Sequence, residues 1–297
     1  FPLGVAFGML VVVMPQAYLE LRFKGEINPG LLAFYPRYLA MDGSFSIITP
    51  TWNHLWYVAY ILVYTFALAV VSPLLGLAER CLGQSMAAVL ARGRWAVLVL
   101  PALPFVLYRL TLDPLFPTTH TMIDDWATHA HSFTMLLIGW FAAKSPVFWS
   151  AVTRTGQRAG EVALATGIVL LLVRLNWPDV SAKNGAIAAI GVLRAVYAWA
   201  LIVAFLAFAQ RFMNWPSPTL AYMSEAVFPW YILHQTIIVM VGYAMIGAGL
   251  PGWLEGAIMV IATVAGCLIL HELIIRRVRW LRPLFGLRGK PPGDKAS

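Results

Sequence analysis

Two ionisable side chains stand inside an apolar stretch of the sequence, Ser224 to Met245. His234 lies about 13 Å beyond Glu225 at the helical rise of about 1.5 Å per residue. Ionisable groups within a lipid bilayer are costly and usually face a protein interior or a wet cavity. His234 is therefore a candidate catalytic residue and Glu225 a candidate substrate contact, although a lone buried histidine is more often structural. An ideal helix would point the two side chains in opposite directions, so we do not expect them to form a dyad.

A second candidate group is the stretch from residue 113 to residue 131, which gathers three aspartates and three histidines. If a helix begins near residue 123, Asp125 and His129 share a side of it, as do Asp124 and His131. A carboxylate beside an imidazole can orient the ring for general base chemistry. The alternative is a solvated loop with acids at a helix amino end. The spacing matches no zinc pattern, so we predict no metal.

Further candidates stand near the ends of apolar runs. His54 and Trp56 open one such run, where an aromatic belt is the alternative explanation for Trp56. Arg194 lies inside another run and could hold an anionic group or a carboxylate, or serve in a structural pair. Three arginines of one connection could bind an anionic cofactor from the cytosol, although topological charge bias explains them equally well: Arg80, Arg92 and Arg94.

The elements that must position these groups are predicted to be membrane helices. The sequence of 297 residues is 60% hydrophobic and 11% charged, with a mean hydropathy of +0.75. Open sheets cannot span lipid, and the apolar runs are too long for barrel strands, so the fold class is all-α. We predict about eight spans, near residues 2–19, 54–78, 95–111, 124–143, 160–175, 186–208, 225–246 and 254–275.

The distribution of basic residues gives the topology. One set of alternate connections carries 14 Lys and Arg residues, the other set only 4. By the positive-inside rule the first set is cytoplasmic, which places both chain ends in the cytoplasm. The net charge of +8 therefore indicates membrane topology rather than nucleic acid binding. We predict one helical domain over residues 1–275 and a basic cytoplasmic tail over residues 276–297.

Three smaller features complete the prediction. The chain opens with Phe1 directly in an apolar segment, so we expect the natural amino terminus to be missing. The connection from residue 20 to 53 is expected to be a long outer loop, and such loops are often functional. Pro101 and Pro104 should bend the third span, because proline lacks a backbone donor.

Three segments together resemble the membrane acyltransferase family 3: NHLWYVAYILVYT (53–65), THTMIDDWATHAHSFTMLLIGWFAA (119–143) and SEAVFPWYILHQT (224–236). The likeness extends to PQAYLE at 15–20 and the ending RRVRWLRPLFGL, and is nearest to the branch of glucan biosynthesis protein C succinyltransferases. His54 and Trp56 match the family's His-x-Trp feature, and His234 matches its Tyr-x-x-His segment. The family's acid after that Trp has no counterpart here. Further recurrent features of the branch fall on Asp124, Asp125, His129 and Glu225.

The resemblance implies an inner-membrane O-acyltransferase of about ten helices. Such enzymes take an acyl group from cytoplasmic acyl-CoA, the donor substrate, and pass it to a hydroxyl of a carbohydrate on the outer side; no bound cofactor is implied. The inner arginines would hold the coenzyme A phosphates. The family's presumed catalytic histidine and an arginine-rich motif belong ahead of Phe1, so the chain is expected to be a fragment.

Two other classes of function remain open at the level of sequence. A transporter or flippase would use Arg194, Glu225 and His234 to line a path without chemistry. Against it, the sequence shows no clear inverted repeat with paired broken helices. A sensor would read an outer ligand at the Asp/His stretch.

Overall fold

The computed structural model describes residues 2–41, 43–93, 95–177 and 184–288, and within these ranges no residue lies in a strand. The helices are α1 (Pro2–Phe7), α2 (Met14–Phe23), α3 (Leu31–Leu39), α4 (Trp56–Arg92), α5 (Ala96–Val99), α6 (Ala102–Thr111), α7 (Trp126–Ala142), α8 (Pro146–Asn176), α9 (Asn184–Phe212), α10 (Pro218–Met245), α11 (Gly252–Leu270) and α12 (Leu281–Leu284). A π-helical turn follows α1 (Gly8–Val12) and another follows α11 (His271–Ile275), while a 3₁₀ turn (Asn53–Leu55) precedes α4. The predicted all-α class is confirmed.

Six helical segments among the described residues are long and apolar enough to cross a membrane: Pro2–Phe23, Asn53–Cys81, Pro146–Asn176, Gly185–Phe212, Pro218–Met245 and Gly252–Ile275. Counting Gly83–Arg92 and Ala96–Thr111 as one bent span gives seven. The chain is thus a multi-pass membrane protein, with fewer spans by this measure than the eight predicted. The helix at the predicted fourth span, α7, has 17 residues.

The third span is interrupted at Pro101, one of the two prolines expected to bend it, whereas Pro104 lies inside α6. The sharp bend of 117° lies earlier, between Gly83–Arg92 and Ala96–Thr111. α5 ends at Val99 and α6 begins at Ala102, with Pro101 as the residue before α6. Proline at this place cannot donate the backbone hydrogen bond that would continue the first helix. The span is therefore interrupted one turn after it starts.

Two helices extend further than predicted. α4 continues to Arg92 rather than ending near residue 78, and α8 begins at Pro146 rather than near residue 160. The start of α8 is well specified, because the Ser145 hydroxyl accepts a hydrogen bond from the Phe148 backbone nitrogen (3.2 Å) and Pro146 occupies the first turn. Hydropathy marks only the apolar part of a helix, which is why these polar extensions were predicted as connections.

The first compact unit consists of Phe1–Leu62 and Pro216–Ser297. In this unit α10 packs against α2 and α11. One apolar cluster surrounds Val13, Leu55 and Ile232, and a second joins α2 to α3 through Leu21 and Phe34. Ser217 caps α10 by accepting a hydrogen bond from the Leu220 backbone nitrogen (3.0 Å).

The predicted outer loop at residues 20–53 is partly helical, since it contains α3. Tyr38 of this helix is fully buried, and burial raises the pKa of its phenol to about 12. The protonated hydroxyl donates a hydrogen bond to the Met9 carbonyl (2.7 Å) and accepts one from the Thr51 backbone nitrogen (3.2 Å). The prediction of a structureless loop was wrong because a short aromatic helix packs there.

The second compact unit is Val63–Trp215. Its centre is the pair α8 and α9, which approach closely because Gly156 faces Ala207 and leaves no room for a side chain. The Trp199 indole donates a hydrogen bond to the Val97 carbonyl (2.9 Å), which ties α9 to α5. The largest apolar core of the described residues lies in this unit.

Candidate active site

His54 stands in the 3₁₀ turn that precedes α4, and the backbone of α10 holds its ring. The His54 Nε2 atom lies 3.1 Å from the Tyr231 carbonyl oxygen and 3.1 Å from the Ile232 carbonyl oxygen. Carbonyl oxygens only accept hydrogen bonds, so Nε2 must carry the proton in the neutral ring. The lone pair is then on Nδ1, which is buried and has no hydrogen-bond partner among the described residues.

His234 of α10 has the opposite tautomer. Its Nδ1 atom lies 2.8 Å from the Tyr231 carbonyl oxygen and 3.2 Å from that of Trp230. By the same reasoning Nδ1 carries the proton and Nε2 carries the lone pair. The Tyr231 carbonyl therefore binds both imidazoles, and the two rings meet edge to face with centroids 5.3 Å apart.

Neutral polar side chains brace the histidine pair. The Tyr231 hydroxyl donates a hydrogen bond to the His54 carbonyl. Asn53, beside His54, donates to Gln16 Oε1 (2.8 Å), and Gln16 donates to Thr236 Oγ1 (2.6 Å). Thr236 then donates to a carbonyl of the first π-helical turn, that of Val12 (2.7 Å). This chain of hydrogen bonds links α2, the 3₁₀ turn and α10, so the ring positions are fixed by three elements.

Trp56, the other half of the His-x-Trp feature, belongs to an aromatic group at the start of α4. Its ring meets those of Tyr57 and Tyr60 edge to face, at 5.8 and 5.2 Å between centroids. Such faces can stack on an apolar ligand surface, and they also suit the membrane boundary. Its predicted substrate contact stays a prediction.

Glu225 lies at a separate place in the same unit. Its carboxylate is 3.0 Å from Arg276 Nε, and Glu272 also binds this arginine, with both carboxylate oxygens 3.0–3.1 Å from Arg276 Nη1. Glu272 and Arg276 stand four residues apart and form an ion pair. Glu225 and His234 form no dyad, as the helical geometry of their spacing predicts.

In the second unit, Asp125 is fully buried and holds a loop. Its two carboxylate oxygens accept hydrogen bonds from the backbone nitrogens of Thr119 (3.3 Å) and His120 (3.1 Å). α7 begins at Trp126, later than the predicted start near residue 123. Asp124 therefore precedes the helix and is exposed in a turn, so the predicted helical register between Asp124 and His131 does not exist.

Two histidines of α7, His129 and His131, form hydrogen bonds to groups that lie outside this helix. Both ring nitrogens of His129 are engaged, Nδ1 by the Tyr64 hydroxyl (2.8 Å) and Nε2 by the Met122 carbonyl (2.9 Å). The His131 Nε2 atom donates to Asp113 Oδ1 (3.0 Å), and Arg109 binds the other oxygen of Asp113 (2.6 Å). The carboxylate partner of His131 is thus Asp113, which we did not predict as a site residue from the sequence.

A family comparison agrees with this architecture. A family model described as an acyltransferase domain, Acyl_transf_3, matches residues 3–272. The chain belongs to the Acyl_transf_3 family. No curated protein and no solved structure matches it. Membership makes the chain a membrane acyltransferase, which requires an acyl donor, an acceptor and a lipid bilayer.

Two of the three arginines predicted to bind coenzyme A, Arg80 and Arg92, lie in the second unit. Arg80 and Arg92 are exposed on α4, and Arg92 lines a cavity of about 370 Å³ with Ala88, Val89 and Gly93. Arg94 lies outside the described residues. Arg194 is exposed on α9 and forms no ion pair with a described residue, so of the alternatives expected for it the pairing with a carboxylate is not found among these residues.

Sequence reasoning missed the groups that hold the histidine pair in this Acyl_transf_3 chain. Gln16, Asn53 and Thr236 are polar residues within apolar runs, and that is the signal that could have singled them out. The Tyr231 carbonyl gives no such signal, because every residue has one. Among the described residues no group of three or more His, Cys, Asp or Glu side chains could hold a metal ion.

Proposed function

We propose that this chain is an inner-membrane O-acyltransferase that transfers an acetyl or succinyl group from acyl-CoA to a hydroxyl of a carbohydrate, such as a periplasmic glucan or another cell-surface glycan. Family membership supports the class of reaction. The observation that carries the proposed chemistry is the pair of lone-pair nitrogens, His54 Nδ1 and His234 Nε2, that the backbone of α10 leaves open.

The two nitrogens suit an acceptor with neighbouring hydroxyls. The hydroxyl that reacts gives its proton to His234 Nε2, and its oxygen attacks the thioester carbonyl. The carbon–sulfur bond breaks, coenzyme A leaves as the thiolate, and a proton returns to it to give the thiol. His54 Nδ1 accepts a hydrogen bond from a second hydroxyl. General base catalysis of this kind accelerates reactions by about 10²–10⁴-fold.

This assignment gives the role of base to a residue within the chain, whereas the resemblance implies a histidine ahead of Phe1. Two features support His234. Its ring is only partly buried, so a substrate can approach, and its tautomer is set by the main chain rather than by a group that a substrate would displace. The ring is thus ready to accept a proton without rearrangement.

The groups around the pair suit an uncharged acceptor. The side chains that support the histidine pair through hydrogen bonds carry amide and hydroxyl groups, those of Gln16, Asn53 and Thr236. The sequence predicts Asp125 and His129 as catalytic residues; we propose that they act instead by positioning the loop before α7, to which their hydrogen bonds run. Asp124, exposed beside that loop, and Arg194 stay predicted substrate contacts.

On the donor side we propose that Arg80, Arg92 and Arg94 bind the phosphates of coenzyme A. Guanidinium groups bind phosphate oxygens through paired hydrogen bonds. Arg154 donates a hydrogen bond to the Leu90 carbonyl (2.7 Å) and so holds the end of α4 that carries Arg92. On the positive-inside rule we propose that this end of α4, like both chain ends, lies in the cytoplasm, where acyl-CoA is present.

The test uses substitutions that keep each ring's support and remove only its lone pair. Glutamine at 54 retains a donor near the Nε2 position, and asparagine at 234 retains one near the Nδ1 position. The purified chain is given acetyl-CoA or succinyl-CoA with a glucan, and acceptor-dependent release of coenzyme A is followed. We expect His234→Asn to lower the rate by about 10²–10⁴-fold and His54→Gln by about tenfold or more.

Release that is unchanged in both variants would refute the assignment of the histidine pair. Absence of release from folded chain with every donor would refute the acyltransfer proposal for this chain. Glycan flux into proteoliposomes without release of coenzyme A would instead favour the transporter.

A further inference from the structure

A fully buried imidazole in the first unit has no role in the chemistry proposed above. His271 begins the π-helical turn that follows α11, and its side chain is completely enclosed. Neither ring nitrogen has a hydrogen-bond partner among the described residues. Leaving a buried polar group unpaired costs about 1–3 kcal/mol, so such groups are nearly always satisfied in folded proteins.

The groups that face His271 are polar and partly unpaired as well. Glu225 Oε1 is 3.9 Å from His271 Nε2, too far for a direct hydrogen bond. The Tyr222 ring meets the imidazole edge to face at 5.7 Å. Arg276 lies 5.5 Å above the same Tyr222 ring, and its Nε atom, though 3.0 Å from Glu225, lacks a well-directed hydrogen bond.

The local charges explain why none of the neighbouring side chains makes the missing hydrogen bonds to the His271 ring. Arg276 is shared by two carboxylates, those of Glu225 and Glu272. Arg282 is buried nearby and is already bound to two backbone carbonyls, those of Arg276 (2.8 Å) and Arg288 (2.7 Å). The four formal charges cancel, so the cluster attracts neither a metal cation nor an anion.

Water is the ligand that fits such a set of groups. A neutral imidazole needs one donor and one acceptor, a carboxylate oxygen needs a donor, and a guanidinium nitrogen needs an acceptor. Buried waters typically make about three hydrogen bonds to groups of this kind. A water oxygen placed beside the 3.9 Å gap can lie at about 2.8 Å from both His271 Nε2 and Glu225 Oε1.

We propose that Tyr222, Glu225, His271 and Arg276 form a buried water site through which His271 exchanges protons with the solvent. The side chains of Glu225 and Glu272 are 36% and 35% exposed, so the carboxylate end of the cluster lies at the protein surface. The imidazole forms the enclosed end. In the π-helical turn the backbone nitrogen of Arg276 donates a hydrogen bond to the His271 carbonyl (2.9 Å). This turn brings the side chains of both residues into the same cluster.

The first test is X-ray hydroxyl-radical footprinting of the purified chain in lipid nanodiscs, read by mass spectrometry. Each oxidation rate is divided by the intrinsic hydroxyl-radical reactivity of its residue type, because indole reacts faster than imidazole. Bound water generates radicals in place, so we expect these normalised rates to be several-fold higher at Tyr222 and His271 than at Trp199. Trp199 is a matched buried aromatic side chain, 3% exposed, whose indole nitrogen is bonded to a carbonyl. A normalised rate at His271 no higher than that at Trp199 would overturn the proposal.

A variant pair checks that the water depends on the imidazole. His271→Phe keeps an aromatic ring against Tyr222 and should lower the oxidation of Tyr222 several-fold. Ile275→Val, a buried substitution in the same turn, should leave it unchanged. If His271→Phe does not fold, the unmodified chain still decides the outcome.

Proton exchange is measured separately, by deuterium uptake at the ring carbon of each histidine as a function of pH. We expect the rate at His271 to follow a titration curve, and Glu225→Gln to shift its midpoint. No uptake at His271 while the other histidines exchange would refute the connection to solvent. Neither test uses acyl transfer, so their outcome is independent of the proposed reaction.

Discussion

The two compact units hold their histidines in different ways. In the first unit, main-chain carbonyls bind one nitrogen of His54 and one of His234, and each second nitrogen keeps its lone pair. In the second unit, side chains contribute, and the Tyr64 hydroxyl occupies the nitrogen of His129 that would otherwise be basic. In the proposed mechanism, the density of polar residues does not identify the reactive group. What would identify it is which ring nitrogen the surrounding structure leaves without a hydrogen bond.

The largest expected effect contrasts the two units directly. His129→Gln keeps a donor toward the Met122 carbonyl and loses the acceptor of the Tyr64 hydroxyl, at a cost in stability of about 0.5–1.5 kcal/mol. We expect its rate of coenzyme A release to stay within about threefold of the unmodified chain, whereas His234→Asn loses about 10²–10⁴-fold. Initial rates with matched amounts of folded protein give the comparison. Equal losses in the two variants would remove the distinction between the units.

A second prediction concerns the support of the first unit's pair. Gln16→Leu removes the donor to Thr236 Oγ1 and the acceptor of the Asn53 amide, while Thr236 keeps its hydrogen bond to the Val12 carbonyl; each group left unpaired costs about 1–3 kcal/mol. We expect a clear fall in the melting temperature in detergent together with a lower rate. Gln157→Leu, the same change at an exposed position of α8, is the control and should shift stability by less than about 0.5 kcal/mol.

A third prediction uses two adjacent aspartates of the second unit. Asp125→Asn weakens the hydrogen bonds to the backbone of Thr119 and His120 and should destabilise the unit by about 1–3 kcal/mol. Asp124→Asn changes an exposed side chain and should cost less than about 0.5 kcal/mol. Thermal unfolding of both variants tests the difference. A larger effect at Asp124 would contradict the role of Asp125 as the loop anchor.

The smallest expected effect is a pH dependence on the connection between α2 and α4. Hydrogen bonds from Ser46 hold the pKa of Glu26 below its ordinary value of 4.5. A lowered pKa means that the ionised carboxylate stabilises the fold above pH 4.5, and that this stabilisation is lost as pH falls through the folded pKa. The protection factors for amide hydrogen exchange of residues 27–46, which correct for the intrinsic slowing of exchange in acid, should therefore fall as the pH is lowered. Glu26→Gln should remove that part of the fall.

Much of the architecture follows from the sequence. The apolar runs predicted the all-α class and the places of most long helices, and Pro101 marked the interruption between α5 and α6. α3 was missed, because a nine-residue aromatic helix has no signal as strong as a membrane span. The extensions of α4 and α8 were missed because hydropathy does not see the polar part of a helix.

The candidate site was predictable in part. The sequence singled out His54 and His234, but not that they meet, since 180 residues separate them and only packing brings α10 to the 3₁₀ turn. The expected helical register of Asp124 with His131 failed because the helix begins three residues later than predicted. His271 was passed over because its neighbours Glu272 and Arg276 explained the segment as an ordinary ion pair.

The carbonyl of Tyr231 also limits what genetics can reveal about this protein. It belongs to the main chain, so every residue placed at position 231 would present the same oxygen to both imidazoles. A scan of side-chain substitutions would report on the Tyr231 hydroxyl and not on this oxygen. Only a change of the backbone itself, such as an ester in place of an amide, or a shift of α10 along its axis, would alter the support of both rings together.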